Sequence, residues 1–244
     1  FVENSPALRA KQLQAVPDAT FHDHLDSLPT DAPLCVVANE FFDALPVRQM
    51  VATQAGWRER VVVRDGATGF AAVPGTSSAD DLIPEQFRTA AIGSVYEICP
   101  DASSIMQQLS ARLVKQGGVM LVIDYAYTQP ALGNTLQAVQ SHAYADPFNN
   151  PGQVDLTAHV DFFELLNCAR NSGLLTAGPS DQGAWLLGLG ITQRAQILAA
   201  SNPDRAGDIN AERNRLVAPD AMGTLFKVLA AYAQGWPQPE GFDL

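Results

Sequence analysis

The run Leu34-Cys35-Val36-Val37-Ala38 constrains this chain more than any other stretch. It is apolar without alternation, it follows Pro33, and the polar pair Asn39-Glu40 closes it. Such a run reads as a strand buried on both faces, as in a parallel sheet covered by helices. Ligands of these sheets bind beyond the carboxyl ends of the strands. Asn39, Glu40 and Asp43 are thereby offered to a crevice that Phe41 and Phe42 can wall. A plainer reading stays open, in which Asn39 or Asp43 caps a helix that follows the strand.

A second unit of the same kind lies downstream. The apolar positions Ile105, Met106, Leu109, Leu113 and Val114 recur at helical spacing, and Gly117-Gly118 stops the helix. The apolar run Val119–Ile123 follows and ends at Asp124. Helix, glycine stop, strand and acidic residue make half of a βαβ repeat, so a mainly parallel sheet is expected. The strands near Leu34, Gly93 and Val119 are expected in one sheet, with Asp124 near Glu40.

The start Phe1-Val2-Glu3-Asn4-Ser5-Pro6 reads as a strand end followed by a helix start, Ser5 or Asn4 capping and Pro6 in the first turn. A strand needs neighbours, so residues upstream of Phe1 are expected. An acidic strand-end residue such as Glu3 suits ribose hydroxyls, although from the pattern alone an exposed structural glutamate is the commoner reading. Thr20-Phe21-His22 is a short strand candidate, and Asp23 and His24 follow it without the third ligand a metal site needs. Residues 48–92 contain β-branched, glycine-punctuated hairpin material, read as an antiparallel insertion, with a mobile loop over 74–84. Asp161 is placed to cap a helix over 162–171, and His142 and His159 read as structural histidines. Further helices are expected over 191–200 and 208–216, with a closing strand over 225–230.

With 244 residues, the chain can bury a full core. A net charge of −11 disfavours nucleic acid and anionic membrane surfaces, whose phosphates it repels. No apolar stretch approaches the roughly 20 residues of a membrane span. Cys35, Cys99 and Cys168 are odd in number and lack metal-ligand spacing, so buried free thiols are expected.

Several stretches together resemble the MidA family of S-adenosylmethionine (SAM)-dependent methyltransferases, which includes the mitochondrial complex I assembly methyltransferase. They are Asn39-Glu-Phe-Phe-Asp-Ala-Leu-Pro46, Tyr96-Glu-Ile-Cys-Pro100, Gly117-Gly118 through Tyr125, Thr135-Leu-Gln137, Asp155–Phe162 and Met222–Val228. The family's glycine-rich loop, which precedes the Val2–Pro6 block, does not stand in these residues. The resemblance implies an α/β, Rossmann-like class I methyltransferase sheet, mostly parallel and seven-stranded in the full protein, of which residues 1–244 are an incomplete domain. It implies SAM as cofactor, with Glu3 on the ribose, His22 and Asp23 near the adenine, and Asn39 beside the methyl group. Glu40, Asn39, Asp43 and Asp124 are the catalytic candidates. The implied acceptor is an arginine of a protein, by resemblance a respiratory complex I subunit or its bacterial counterpart. The implied location is the bacterial cytoplasm or the mitochondrial matrix. Two readings from other classes remain: a non-catalytic assembly protein keeping the fold, and a nicotinamide-dependent oxidoreductase, which the lack of a GxGxxG disfavours.

Overall fold

The computed structural model describes residues 1–66, 69–140, 143–149 and 151–242; His142 lies outside them. The chain opens with an isolated parallel bridge between Val2 and His22. Helix α1 (Pro6–Ala15) lies between the two, with the Ser5 side chain accepting from the Leu8 N–H and Pro6 in the first turn. Strand β1 (Leu34–Asn39) follows. An antiparallel sheet comes next, built from β2 (Arg48–Thr53), β3 (Gly56–Asp65), β4 (Gly69–Ser78) and β5 (Val95–Ile98) in the order β4-β3-β2-β5. Helix α2 (Pro100–Gln116) leads into β6 (Gly118–Tyr127).

Three short strands, β7 (Gln137–Gln140), β8 (Ala143–Ala145) and β9 (Asp155–Thr157), form a small sheet after β6. The two-residue β10 (Val160–Asp161) pairs in parallel with the end of β6 and runs into α3 (Phe162–Asn171). Strand β11 (Leu175–Asp181) precedes four helices, α4 (Gln182–Gly188), α5 (Ile191–Ser201), α6 (Ala206–Val217) and α7 (Met222–Leu225). Strand β12 (Phe226–Tyr232) closes the main sheet, whose order is β1-β6-β12-β11. β1 and β6 are parallel, and β12 runs antiparallel to both of its neighbours, β6 and β11.

The two faces of this sheet are covered differently. On one face Met120, Val122, Leu229 and Ala231 pack with Met106, Leu109 and Leu113 of α2 and Leu165 and Ala169 of α3. Each such fully buried aliphatic side chain stabilises the fold by roughly 1.5–3 kcal/mol. On the other face Ala177, Ala230 and Tyr232 meet Trp236 and Phe242 from the C-terminal segment. The antiparallel sheet keeps its own core of Met50, Ala52, Trp57, Ala79, Ile83 and Tyr96. The α5–α6 hairpin is shallowly embedded: α5 buries only Ala195, and α6 buries no residue.

Five expectations need correction. The strand at 95–98 is not in the main sheet; it pairs antiparallel with β2, Tyr96 opposite Met50, because its inward side chains complete the insertion's core. β1 is not buried on both faces: Cys35 and Asn39 are exposed and Val37 is 70% exposed, because only the opposite face meets α2 and α3. Cys168 alone of the three free thiols is buried; Cys35 is exposed and Cys99 half-buried. The stretch 74–84 is not a free loop. Residues up to Ser78 belong to β4, and the buried Ala79 and Ile83 flank a turn in which Asp80 accepts from the Trp57 N–H at 2.8 Å. Val114, assigned to the apolar face of α2, is also exposed.

The tightest backbone approach joins β1 to β6. A Cβ on Gly118, whose φ is +124°, would lie 2.0 Å from the Leu34 carbonyl oxygen. The obstructing oxygen belongs to the backbone, so it cannot step aside. We expect Gly118→Ala to destabilise the chain by about 3 kcal/mol or more, combining overpacking with a positive φ. Gly66→Ala, with φ +67° and nothing within 4 Å, should cost only about 1–2 kcal/mol. Urea unfolding of the two variants checks the contrast.

Candidate active site

The parallel pairing of β1 with β6 places Asn39 opposite Ile123, so Asp124 stands one residue beyond the end of β1. The side chain of Asp124 is fully buried. Its Oδ2 accepts from the backbone N–H groups of Phe41, Phe42 and Asp43 at 3.3, 3.0 and 3.2 Å, and its Oδ1 accepts from the Tyr125 N–H at 3.0 Å. Three successive N–H groups converging on one oxygen define a tight turn. No helix follows β1, so neither Asn39 nor Asp43 caps one; the chain turns through 41–46 and enters β2.

That turn forces an unusual conformation on the residue before it. Glu40 has φ +47°, the one non-glycine among the described residues with a positive value. Its N–H still reaches back to the Ile123 carbonyl at 3.0 Å. A glutamate in the left-handed region costs about 1–2 kcal/mol, and such backbone strain concentrates at functional sites. The strain leaves the Glu40 carboxylate exposed beside Asn39, whose Nδ2 donates to Glu40 Oε1 at 3.4 Å. The Tyr125 side chain lies near enough to interact electrostatically with the Glu40 carboxylate. Burial, with the Glu40, Asp43 and Asp124 carboxylates nearby, pushes Tyr125 up to about 12, so it stays a proton donor at neutral pH.

The remaining carboxylate, Asp43, is buried at 4% exposure. Burial first, and then the Glu40 charge, raises its pKa to about 6, against the pull of the Ala44 N–H. Burial and the neighbouring Asp43 raise Asp124 to about 7. Of the four candidates in this cluster, Asn39 and Glu40 therefore face outward, whereas Asp43 and Asp124 lie beneath the turn.

The other candidates form a separate group at the Val2–His22 bridge. Glu3 is half-buried; its Oε1 accepts from the Ser5 N–H at 2.8 Å and its Oε2 from Gln12 Nε2 at 3.2 Å. His22 Nδ1 lies 3.0 Å from Ser27 Oγ, and Asp23 pairs with Arg9 at 2.6 Å. Main-chain hydrogen bonds link this bridge to neither β1 nor β6 among the described residues.

Two aromatic positions escaped the sequence reading. In the sequence Tyr125 is only the end of a motif, and His159 reads as a structural histidine. The structure stacks their rings at 6.4 Å and 17°, and the Phe226 ring lies 4.2 Å from that of Tyr125. Only the fold brings residues 125, 159 and 226 together.

The donor set fits S-adenosyl-L-methionine. Each Glu3 oxygen has one protein donor and lone pairs left over for ribose hydroxyls, and Asn39 and Glu40 stand open at the end of β1. Among the described residues no group of His, Cys, Asp and Glu could hold a metal ion.

If the buried carboxylates carry raised pKa values, acid should stabilise the chain. A raised folded pKa contributes stability that is fully present below the unfolded value, near pH 4, and is lost as pH rises through 6 to 7. We expect unfolding free energy to fall across that window, and Asp43→Asn to remove of order 2–3 kcal/mol of the fall. Urea titrations at pH 4 and pH 7.5 measure it; identical pH slopes in both proteins would contradict it.

Comparison with known proteins shows the family. Residues 1–180 match a family described as "Putative S-adenosyl-L-methionine-dependent methyltransferase". The rat mitochondrial protein arginine methyltransferase NDUFAF7 is 32% identical over 225 residues, covering 88% of this chain and 49% of the rat protein. The human NDUFAF7 protein is 32% identical over 200 residues, covering 80% of this chain and 44% of its own length. The chain thus spans about half the length of the curated relatives it matches. A crystal structure from Burkholderia thailandensis bound to S-adenosyl-homocysteine superposes with a TM-score of 0.79 at 27% identity, covering all of this chain and 64% of that one. A native structure from the same organism gives 0.80 at 28% identity, over all of this chain and 66% of that one. The chain is a member of the MidA/NDUFAF7-like family of SAM-dependent methyltransferases.

Proposed function

We propose that this chain carries the acceptor face and part of the cofactor face of a protein arginine methyltransferase. The observation that supports it most is the strained Glu40, which turns a carboxylate outward beside Asn39 and Tyr125 at the end of β1. The cofactor supplies an electrophilic methyl group on sulfur. Glu3 holds the ribose hydroxyls, His22 and Asp23 flank the base, and Asn39 lies toward the reacting centre.

Methyl transfer is a direct displacement, so the protein's task is alignment. A guanidinium is a weak nucleophile because its charge is delocalised over three nitrogens. Glu40 accepts two N–H bonds from it, fixes its plane and draws charge away from the attacking nitrogen. The protonated Tyr125 stands beside the Glu40 carboxylate. Asp124 touches no substrate in this reading; it shapes the turn that sets Glu40. Asp43, raised to about 6, lies in the range suited to taking the proton that the guanidinium loses, by way of Glu40 or a water.

The acceptor is a protein, and by the family resemblance a respiratory complex I subunit or its bacterial counterpart. The relatives named as mitochondrial favour a mitochondrial location, and the Burkholderia structures show that bacterial members exist. No helix among the described residues is long and apolar enough to cross a membrane.

Glu40→Gln should lower methyl-arginine formation at least about a hundredfold, because the neutral amide keeps one acceptor oxygen and loses the charge-assisted bidentate grip. Affinity for S-adenosyl-homocysteine should stay within a few-fold. Labelled SAM, a lysate of cells lacking the gene, and acid hydrolysis to methyl-arginine provide the assay, with calorimetry for the cofactor product. Cofactor binding without any methyl-arginine, even in the unmutated protein, would favour the non-catalytic assembly reading instead.

A further inference from the structure

Glu97 is a buried carboxylate that the reaction above does not use. It lies on β5 at 5% exposure. Among the described residues no cation forms an ion pair with it. Neutral donors surround it instead. Its Oε1 accepts from Gln49 Nε2 at 2.6 Å and from the N–H groups of Thr135 and Leu136 at 3.0 and 3.3 Å, and its Oε2 accepts from Thr135 Oγ1 at 2.5 Å. Gln49 is fixed in turn: its Oε1 accepts from Arg60 at 2.7 Å and its Nε2 donates to Asn134 Oδ1 at 2.7 Å. Burying a charge is costly, and four donors in a dry site hold it in one geometry.

The network does not end at Thr135. The Thr135 hydroxyl, having donated to Glu97, accepts from the His159 N–H at 2.9 Å. His159 is the residue whose ring stacks on Tyr125, and Tyr125 lies in the electrostatic reach of Glu40. A continuous path of contacts thus runs from the insertion sheet through Glu97, Thr135, His159 and Tyr125 to the outward carboxylate.

We propose that Glu97 is a positioning residue: by orienting the Thr135 hydroxyl it sets the His159 ring against Tyr125, and so fixes the wall against which an acceptor guanidinium meets Glu40. This rests on the arginine reading of the site. Glu97 touches neither substrate nor cofactor. The arrangement also gives the insertion sheet a role at the site, because Gln49 and Arg60 lie on β2 and β3.

Thr135→Val tests the link most narrowly, since it removes the hydroxyl and leaves both backbone N–H bonds to Glu97. Glu97→Gln keeps the shape but reverses the hydrogen bond to Thr135, and Thr135→Ser restores the hydroxyl. The first readout is the set of nuclear Overhauser contacts between the His159 and Tyr125 rings, assigned with His159→Gln. The second is affinity for N-acetyl-arginine amide in the presence of S-adenosyl-homocysteine. Thr135→Val and Glu97→Gln should lose the ring contacts and bind the arginine probe about fivefold or more weakly, the equivalent of one lost hydrogen bond. Affinity for S-adenosyl-homocysteine should stay within about twofold, and Thr135→Ser should match the unmutated chain, because its hydroxyl bonds persist. Retained ring contacts and probe affinity in Thr135→Val would overturn the assignment, as would equal losses in Thr135→Ser and Thr135→Val. If the unmutated chain does not bind the probe, the arginine reading fails, and the ring contacts alone then decide whether Glu97 sets His159.

Discussion

The site depends on one buried carboxylate. Asp124 gathers the N–H groups of residues 41 to 43 onto a single oxygen, and every other feature of the cluster follows from that. The turn it defines drives Glu40 into the left-handed region, keeps Asp43 under cover and ends the strand without a helix. Such a carboxylate is costly to bury and is retained because the backbone donors satisfy it completely. The parallel register of β1 with β6 brings the two halves together: a slip of one residue would turn Asp124 to the other face.

A second carboxylate, Glu97, is arranged on the same principle at a distance. Both acids are met by backbone N–H groups rather than by cations, and both tie together segments far apart in sequence. Asp124 joins β6 to the turn after β1, and Glu97 joins β5 to the loop after β6. The main sheet and the insertion are therefore fastened to each other through the loops at the site, while each keeps its own hydrophobic core.

Much of this architecture is legible in the sequence. The glycine stop at 117–118, the Asp161 cap and the strand–helix alternation fall where their local chemistry puts them, because each is settled by a few neighbouring residues. The assignment of Tyr96 to the main sheet failed for a different reason. A four-residue strand leading into a helix looks the same whether its partner is parallel or antiparallel, and only packing against Met50 and Trp57 decides. The roles of Glu40, Asp43 and Asp124 were equally unreadable. All three are acids at strand ends, and burial alone separates the outward one from the two beneath the turn. His159 and Tyr125 meet across 34 residues of chain that include a small sheet, a separation no local pattern reports.

The α5–α6 hairpin gives a last consequence. Helices that bury almost nothing against the sheet contribute little to its stability, so exchanges on their outer surface shift folding by only about 0.5 kcal/mol either way. The hairpin is inserted between β11 and β12, next to the edge strand of the main sheet. Selection can therefore rewrite this surface freely without touching the Asp124 turn. Divergence among relatives should accumulate here first.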